Sequence, residues 1–321
     1  MYFSSNTPGN KKEEIMGTLG VKEVERFESY LGLPTLIGRA KYQTFSFLKD
    51  RVWKKLQGWK DMLLSRLGKE ILIKVMAQSI PTYTMGVFQL PMKLCEELNT
   101  MCARFWLGQV GNEKKIHWRS WDKLMVTKKE DGMGFRDLRT FNLAMLAKQG
   151  WRLLQEKESL FYKCFSARYF PRSHFFDVVE SPNCSYVWRS IMVAKDIIVK
   201  NSTWTIGNGK RVHIWEDRWL PTSESFKVVS SRGSHTEVEM VPSLINMERR
   251  GWNVAIVKNI FLPDEVDVIL GIPISSRLPD DSLIWAWTPN GKFNVRSANQ
   301  VAQKYGERRN QQGERKGCLD G

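Results

Sequence analysis

The sequence predicts a mainly α-helical protein with short strands near the N-terminus and two small β-hairpins in the C-terminal third. Three observations carry this prediction. Apolar residues recur at steps of three and four through most of residues 39–200, the period of helices that bury one face. Serine or threonine precedes several of these runs, where its side chain can cap a first helical turn. From Trp204 the period changes to alternation around glycine-bearing turns, which marks a hairpin.

In chain order, Glu13 to Leu19 reads as a short helix with Ile15, Met16 and Leu19 inward and Gly20 as its stop. Phe27 to Pro34 reads as a strand that needs a partner. Arg39 to Pro81 follows, with ten basic residues against three acidic ones. Phe45, Leu48, Val52, Leu56 and Trp59 form one apolar stripe there. Leu67, Ile71, Val75 and Ile80 form a second after the break at Ser65–Gly68. Two amphipathic helices with apolar faces inward and basic faces outward are expected, a surface suited to polyanions. Trp53 is expected to pack inward, because tryptophan brings so much apolar area.

Pro81 and Pro91 bracket an extended apolar link. Met92 to Trp106 is a further helix, with Leu94, Leu98, Met101, Cys102 and Phe105 inward. Ile116–Trp118 is a short strand, and Ser120 opens a helical turn. Thr140 and Ser185 are read as caps of two more helices, Phe141 to Gln155 and Tyr186 to about Val199, and a third runs from Ser159 to Tyr169. Two hairpins are then expected. The first joins Trp204–Ile206 to Val212–Trp215 through Gly207-Asn208-Gly209, and the second joins Leu283–Trp287 to Lys292–Val295 through Pro289-Asn290-Gly291. Between them lie a loop over 221–242 and short helices near Trp252–Phe261 and Glu265–Leu270. Ser297 should cap a last helix, and the polar tail from Gly306 should be disordered.

The bulk numbers exclude some classes. Across 321 residues the formal net charge is +15, with 42% hydrophobic and 26% charged residues. The isoelectric point near 9.6 favours an acidic partner, nucleic acid above all. No apolar run is long enough to span a membrane and no secretory signal is visible, so an intracellular setting, nuclear or cytoplasmic, is expected. The five cysteines, Cys95, Cys102, Cys164, Cys184 and Cys318, make no Cys-x-x-Cys pair. Cys95 and Cys102 share a helix face and should be core residues. The four histidines, His117, His174, His213 and His235, stand singly and suggest neither a metal site nor acid–base chemistry.

The blocks Tyr30-Leu31-Gly32-Leu33-Pro34, FLKDRVWKKLQGWK, LLSRLGKEILIK, QSIPTYTMGVFQLP, ARFWLG, KIHWRSWDKL, GMGFRDLRTFNLAMLAKQGWRLL, WTIGNGKRVHIWEDRWLP and WTPNGKFNVRSANQVA occur in this order. Together they resemble the reverse transcriptases of plant LINE-type (non-LTR) retroelements. The resemblance implies a helical thumb-like bundle. Residues 1–38 would be the end of a palm with a primer grip, and Tyr30, Leu31 and Gly32 would be grip residues. Residues 39–110 would be basic thumb-like helices. Lys49, Arg51, Lys54, Lys55, Lys60, Arg66, Lys69 and Lys74 would face nucleic acid. A helical connecting region would cover 111–200 and a hairpin-and-linker region 201–275. The truncated start of a zinc-binding domain would cover 276–305, before the tail at 306–321.

The departures from that family are as informative. Its Tyr-Ala-Asp-Asp motif is absent, and such polymerases need carboxylates to hold the magnesium ions of phosphoryl transfer. Asp280-Asp281 is the only Asp-Asp pair, and it reads as a turn. The zinc ligands are missing too, and Cys318 alone cannot build a site. The resemblance therefore implies a non-catalytic fragment with no cofactor of its own. Its expected partner is RNA or DNA of template–primer type, bound without sequence preference, or a palm domain joined in trans. A degenerate helical protein-interaction module is the alternative.

Overall fold

A computed structural model describes residues 3, 7–20, 29–60, 62, 64–108, 120–222, 225–233, 237–246 and 248–304. The expected strand at 116–118, the tail from 306, His117, His235, Cys318 and the side chain of Lys60 lie outside that description. The fold is mainly α with small two-stranded sheets, as predicted. The chain forms two compact units, Met1–Asn142 and Leu143–Gly321.

The first unit opens with α1 (Gly9–Leu19), which stops where Gly20 turns left-handed at φ 61°. Ile15 and Met16 are half-buried, but Leu19 is exposed, contrary to expectation. β1 (Ser29–Tyr30) finds its partner in β2 (Leu33–Pro34), so the segment read as one strand folds back on itself. Next come α2 (Lys41–Phe45), α3 (Phe47–Lys60) and α4 (Arg66–Ile71), the last running into a π-helical turn, Leu72–Ala77. Phe45, Leu48, Val52 and Leu56 are buried as their spacing predicts.

The Pro81–Pro91 link is not extended. It contains α5 (Thr82–Met85). The buried amide of Asn142 holds it in place. Its Oδ1 accepts the Leu90 N–H at 2.8 Å, and its Nδ2 donates to the carbonyls of Met85 at 3.0 Å and Phe88 at 2.9 Å. These are backbone groups the helix cannot satisfy, so one distant side chain stabilises the link. α6 (Met92–Leu107) buries Leu94, Cys95, Leu98, Met101 and Cys102. Burial pushes both thiols up to about 12, so neither is a reactive thiolate. α7 (Trp121–Met125) is capped by Ser120. α8 (Leu138–Gln155) begins in this unit and is capped by Asp137, not Thr140: the Asp137 carboxylate accepts the Arg139 N–H at 3.1 Å and the Thr140 N–H at 3.4 Å.

In the second unit the rest of α8 lies beside α9 (Leu160–Tyr169), α10 (Tyr186–Val193) and α11 (Lys195–Asn201), with Ser159 and Ser185 capping α9 and α10. Leu146, Ala147, Trp188, Ile191 and Ile198 form their core, together with Trp285. Gly150 permits this packing, since a Cβ there would sit 2.5 Å from Ile198 Cδ1.

The C-terminal third has the expected small strand pairs but a different pairing. β3 (Ser202–Thr205) is antiparallel to β6 (Ser282–Trp285), eighty residues on, with Ser202 opposite Trp285. β4 (Ile245–Asn246) pairs with β5 (Gly251–Trp252), in a stretch read as linker and helix start. Val212–Trp215 forms no strand beside β3. The Pro289-Asn290-Gly291 turn is present, but its return segment is not a strand, and the Trp285 N–H meets the Gly291 carbonyl at 2.8 Å. Asn294, not Ser297, caps the helical stretch 295–304. α12 (Val254–Ile260) and α13 (Pro263–Gly271) pack on a second core around Val212, Ile214, Trp219 and Leu244.

Candidate nucleic-acid interface

The predicted site residues divide by what their side chains touch. Tyr30, Leu31 and Gly32 form the tip of the β1–β2 hairpin. Its two central residues both have positive φ, 49° at Leu31 and 77° at Gly32, as a type I′ turn requires. Glycine accepts that conformation freely, whereas leucine is strained by roughly 1–2 kcal/mol. Tyr30 and Leu31 are both well exposed.

On α3 the buried stripe leaves Arg51, Trp53, Lys54 and Lys55 outward. Trp53 is 52% exposed, so the expectation that it packs inward is corrected. Spacing explains this, because Val52 and Leu56 define the inner line and residue 53 lies a hundred degrees from it. The Arg51 guanidinium rests 5.0 Å from the Phe47 ring centroid, one turn earlier.

Lys49 is used differently. Its Nζ is 2.8 Å from Glu97 on α6, and the Tyr42 hydroxyl donates to the same carboxylate oxygen at 2.6 Å. The hydrogen bond to Glu97 raises the Lys49 and Tyr42 pKa values, and the Lys49 hydrogen bond, followed by that of Tyr42, lowers Glu97. Glu97 therefore ties α2, α3 and α6 together, with Lys49 as its cation.

On α4 the Ser65 side chain caps the first turn by accepting the Gly68 N–H at 3.1 Å, and Arg66 is exposed beside it. Lys69 is half-buried, with its ammonium 6.0 Å from the Phe105 ring. Lys74 turns inward. It meets Glu70 at 2.6 Å and donates to the Met133 carbonyl at 2.5 Å. Lys128 also reaches Glu70, at 3.1 Å. The Lys74 hydrogen bond holds the Glu70 carboxyl below its usual range, against the opposing effect of burial.

Four of the predicted cations, Arg51, Lys54, Lys55 and Arg66, thus point outward with no carboxylate partner among the described residues. Lys49 and Lys74 are committed to internal ion pairs.

Asp280-Asp281 is not a turn: Asp281 is a buried clamp and Asp280 an exposed residue beside it. The Asp281 carboxylate accepts N–H groups from Gly207 at 2.7 Å, Gly209 at 2.8 Å and Arg211 at 2.9 Å, and Asn208 donates to Asp280 at 2.9 Å. A buried carboxylate already holding three backbone N–H groups does not fit a catalytic magnesium site. Spacing gave no sign of this, because the donors lie seventy or more residues upstream.

No family model matches the chain. It is similar to the putative ribonuclease H protein At1g65750 of Arabidopsis thaliana, at 29% identity over 280 residues. Those residues are 84% of this chain and 44% of that protein, so the chain spans less than half of that relative. It is also similar to the uncharacterized mitochondrial protein AtMg00310 of the same plant, at 37% identity over 143 residues that make up 44% of this chain and 93% of the relative.

Proposed function

We infer that this chain, which belongs to the plant protein family of AtMg00310, is a retroelement-related fragment that binds nucleic acid and catalyses nothing by itself. The finer reading is a thumb-like clamp of an RNA-directed DNA polymerase, holding template–primer-like duplex. The relative described as a putative ribonuclease H protein supports a nucleic-acid setting. One observation carries the reading: Arg51, Lys54 and Lys55 stand together on the open face of α3, unneutralised, with an exposed tryptophan among them. Such cations would meet phosphates, which gives affinity without sequence preference. Trp53 offers a flat ring to an unstacked base.

The test is Lys54→Ala with Lys55→Ala, titrated against labelled RNA–DNA duplex at several salt concentrations. Losing two phosphate contacts should lower the slope of log affinity against log salt by about 1.8. An unchanged slope rejects the face as the contact. A primer-extension assay with magnesium should be blank, and DNA synthesis by the chain alone would overturn the non-catalytic reading.

A second reading has its own observation. Leu67, Ile71 and Val75 form an apolar line exposed along α4 and its π-helical continuation. A protein partner, such as a palm domain in trans, would cover it. Pull-down of a partner that survives nuclease treatment would favour this reading.

A further inference from the structure

The second unit contains a cleft that the basic helices do not explain. Its volume is about 1180 Å³, and its lining includes Lys157, His174, Trp204, Lys210, Arg211 and His213. Trp204 lies opposite Leu283 in the β3–β6 pair, and the Gly207–Arg211 loop follows one residue after the strand ends at Thr205. Asp281 draws that loop down through its three backbone N–H groups. Gly207 is required there, because a Cβ would sit 2.0 Å from the Pro279 carbonyl oxygen. Clamping the backbone leaves the Lys210 and Arg211 side chains outward, and the Arg211 guanidinium lies over the Trp204 ring at 5.3 Å.

The lining also carries carboxylates, so charge alone does not settle the ligand. Several are already engaged. Asp281 is filled by backbone donors, Glu156 pairs with Arg152 at 3.1 Å, Glu158 with Lys163 at 3.3 Å, and Asp217 holds the His213 ring nitrogen at 3.2 Å. Lys157, Lys210 and Arg211, by contrast, have no ion-pair partner among the described residues. Asp177, which acts electrostatically on Lys195, and Glu216 also line the cleft without an ion pair among the described residues. What remains is the three cations Lys157, Lys210 and Arg211 outnumbering them beside an Arg–Trp stack, with room for more than one nucleotide.

We propose that this cleft binds unpaired nucleotides of a single strand, with phosphates on Lys210 and Arg211 and a base stacked against the Arg211–Trp204 pair. Guanidinium planes and aromatic rings serve as platforms for unstacked bases, and the contacts read no sequence. The inference shares the nucleic-acid reading of the first unit but rests on different residues and a different ligand form.

The experiment uses the full chain, labelled oligo-dT of twelve nucleotides, labelled RNA–DNA duplex and AMP. Lys210→Ala with Arg211→Ala keeps the backbone N–H that Asp281 accepts, so the loop should remain folded. Circular dichroism and the melting temperature check this. The expected result is roughly tenfold weaker oligo-dT binding, with a salt slope lower by about 1.4, while duplex binding is unchanged. The Lys54→Ala, Lys55→Ala variant should do the reverse. Ultraviolet crosslinking of oligo-dT should mark the peptide containing Trp204. Competition by AMP at comparable affinity would confirm the site and confine it to one nucleotide. Oligo-dT binding that is undiminished in the Lys210, Arg211 variant, or crosslinks confined to the first unit, would overturn the proposal. If only the duplex result fails, the first-unit reading falls and this one stands.

Discussion

α3 and α4 come from the same basic stretch and carry similar residues, yet they present opposite faces. On α3 the apolar stripe is buried and the cations point outward. On α4 and the π-helical turn after it, Glu70, Ile73, Ala77 and Gln78 are buried while Leu67, Ile71 and Val75 are exposed. The expected inner stripe of the second helix is its outer one. The difference shows that an apolar stripe decides a helix's orientation only when no polar group on another face has a stronger claim. Gln78 has such a claim, since its amide donates to the Arg136 carbonyl at 3.0 Å and accepts the Arg136 N–H at 3.2 Å. Lys74 has another in the Met133 carbonyl. Buried polar groups left unpaired cost about 1–3 kcal/mol each, and rotating the helix would orphan them while only exchanging buried Ile73 and Ala77 for the Leu67, Ile71 and Val75 line.

The largest test of this contrast is Leu48→Ala on α3. Leu48 is 1% exposed, so truncation should cost about 2–5 kcal/mol through lost burial and a cavity. Urea denaturation measures it, and a cost under about 1 kcal/mol would contradict the packing of α3. Next comes Glu70→Ala on α4. It removes the carboxylate shared by Lys74 and Lys128 and leaves the Lys74 ammonium, 27% exposed, with the Met133 carbonyl. The full penalty for breaking a buried pair is discounted for that exposure, to about 1–3 kcal/mol. A neutral outcome would mean that Glu70 does not orient the helix.

The pH dependence of the same pair should be smaller. The Glu70 pKa is lower in the folded chain than the ordinary 4.5, so the unfolded chain takes up the proton first as pH falls. The stabilising contribution is therefore complete above about pH 4.5 and is lost as pH drops through the lower folded value. Melting curves of wild type and Glu70→Gln should converge in that acid window. Parallel curves would show that the ion pair contributes no pH dependence.

How much was legible follows from where each partner lies. The α3 stripe, the α6 core with its two cysteines, and the caps at Ser120 and Ser185 depend on neighbours within a few turns, so spacing revealed them. The α4 orientation, the α5 link and the β3–β6 pair depend on Arg136, Asn142 and Asp281, each more than fifty residues away. Residues 63–77 are also apolar at so many positions that both helix faces look credible inside. For the candidate site, composition pointed to the stretch. It could not tell Lys54, Lys55 and Arg66 from Lys49 and Lys74, because only the fold brings Glu97 and Met133 to the latter two.

The smallest expected effect is the sharpest discriminator. Leu67→Ser with Val75→Ser changes two residues that the spacing places inside and the structure leaves 64% and 60% exposed. Exposed substitutions usually fall within about 0.5 kcal/mol of neutral, although serine is a weaker helix former than leucine. The double variant should therefore lose no more than about 1 kcal/mol and should gain solubility, because an exposed apolar line promotes association. Urea denaturation and light scattering on the same samples measure both effects. A loss of about 4 kcal/mol or more, the size of a core truncation, would return these side chains to the interior and restore the orientation that the apolar spacing alone implied.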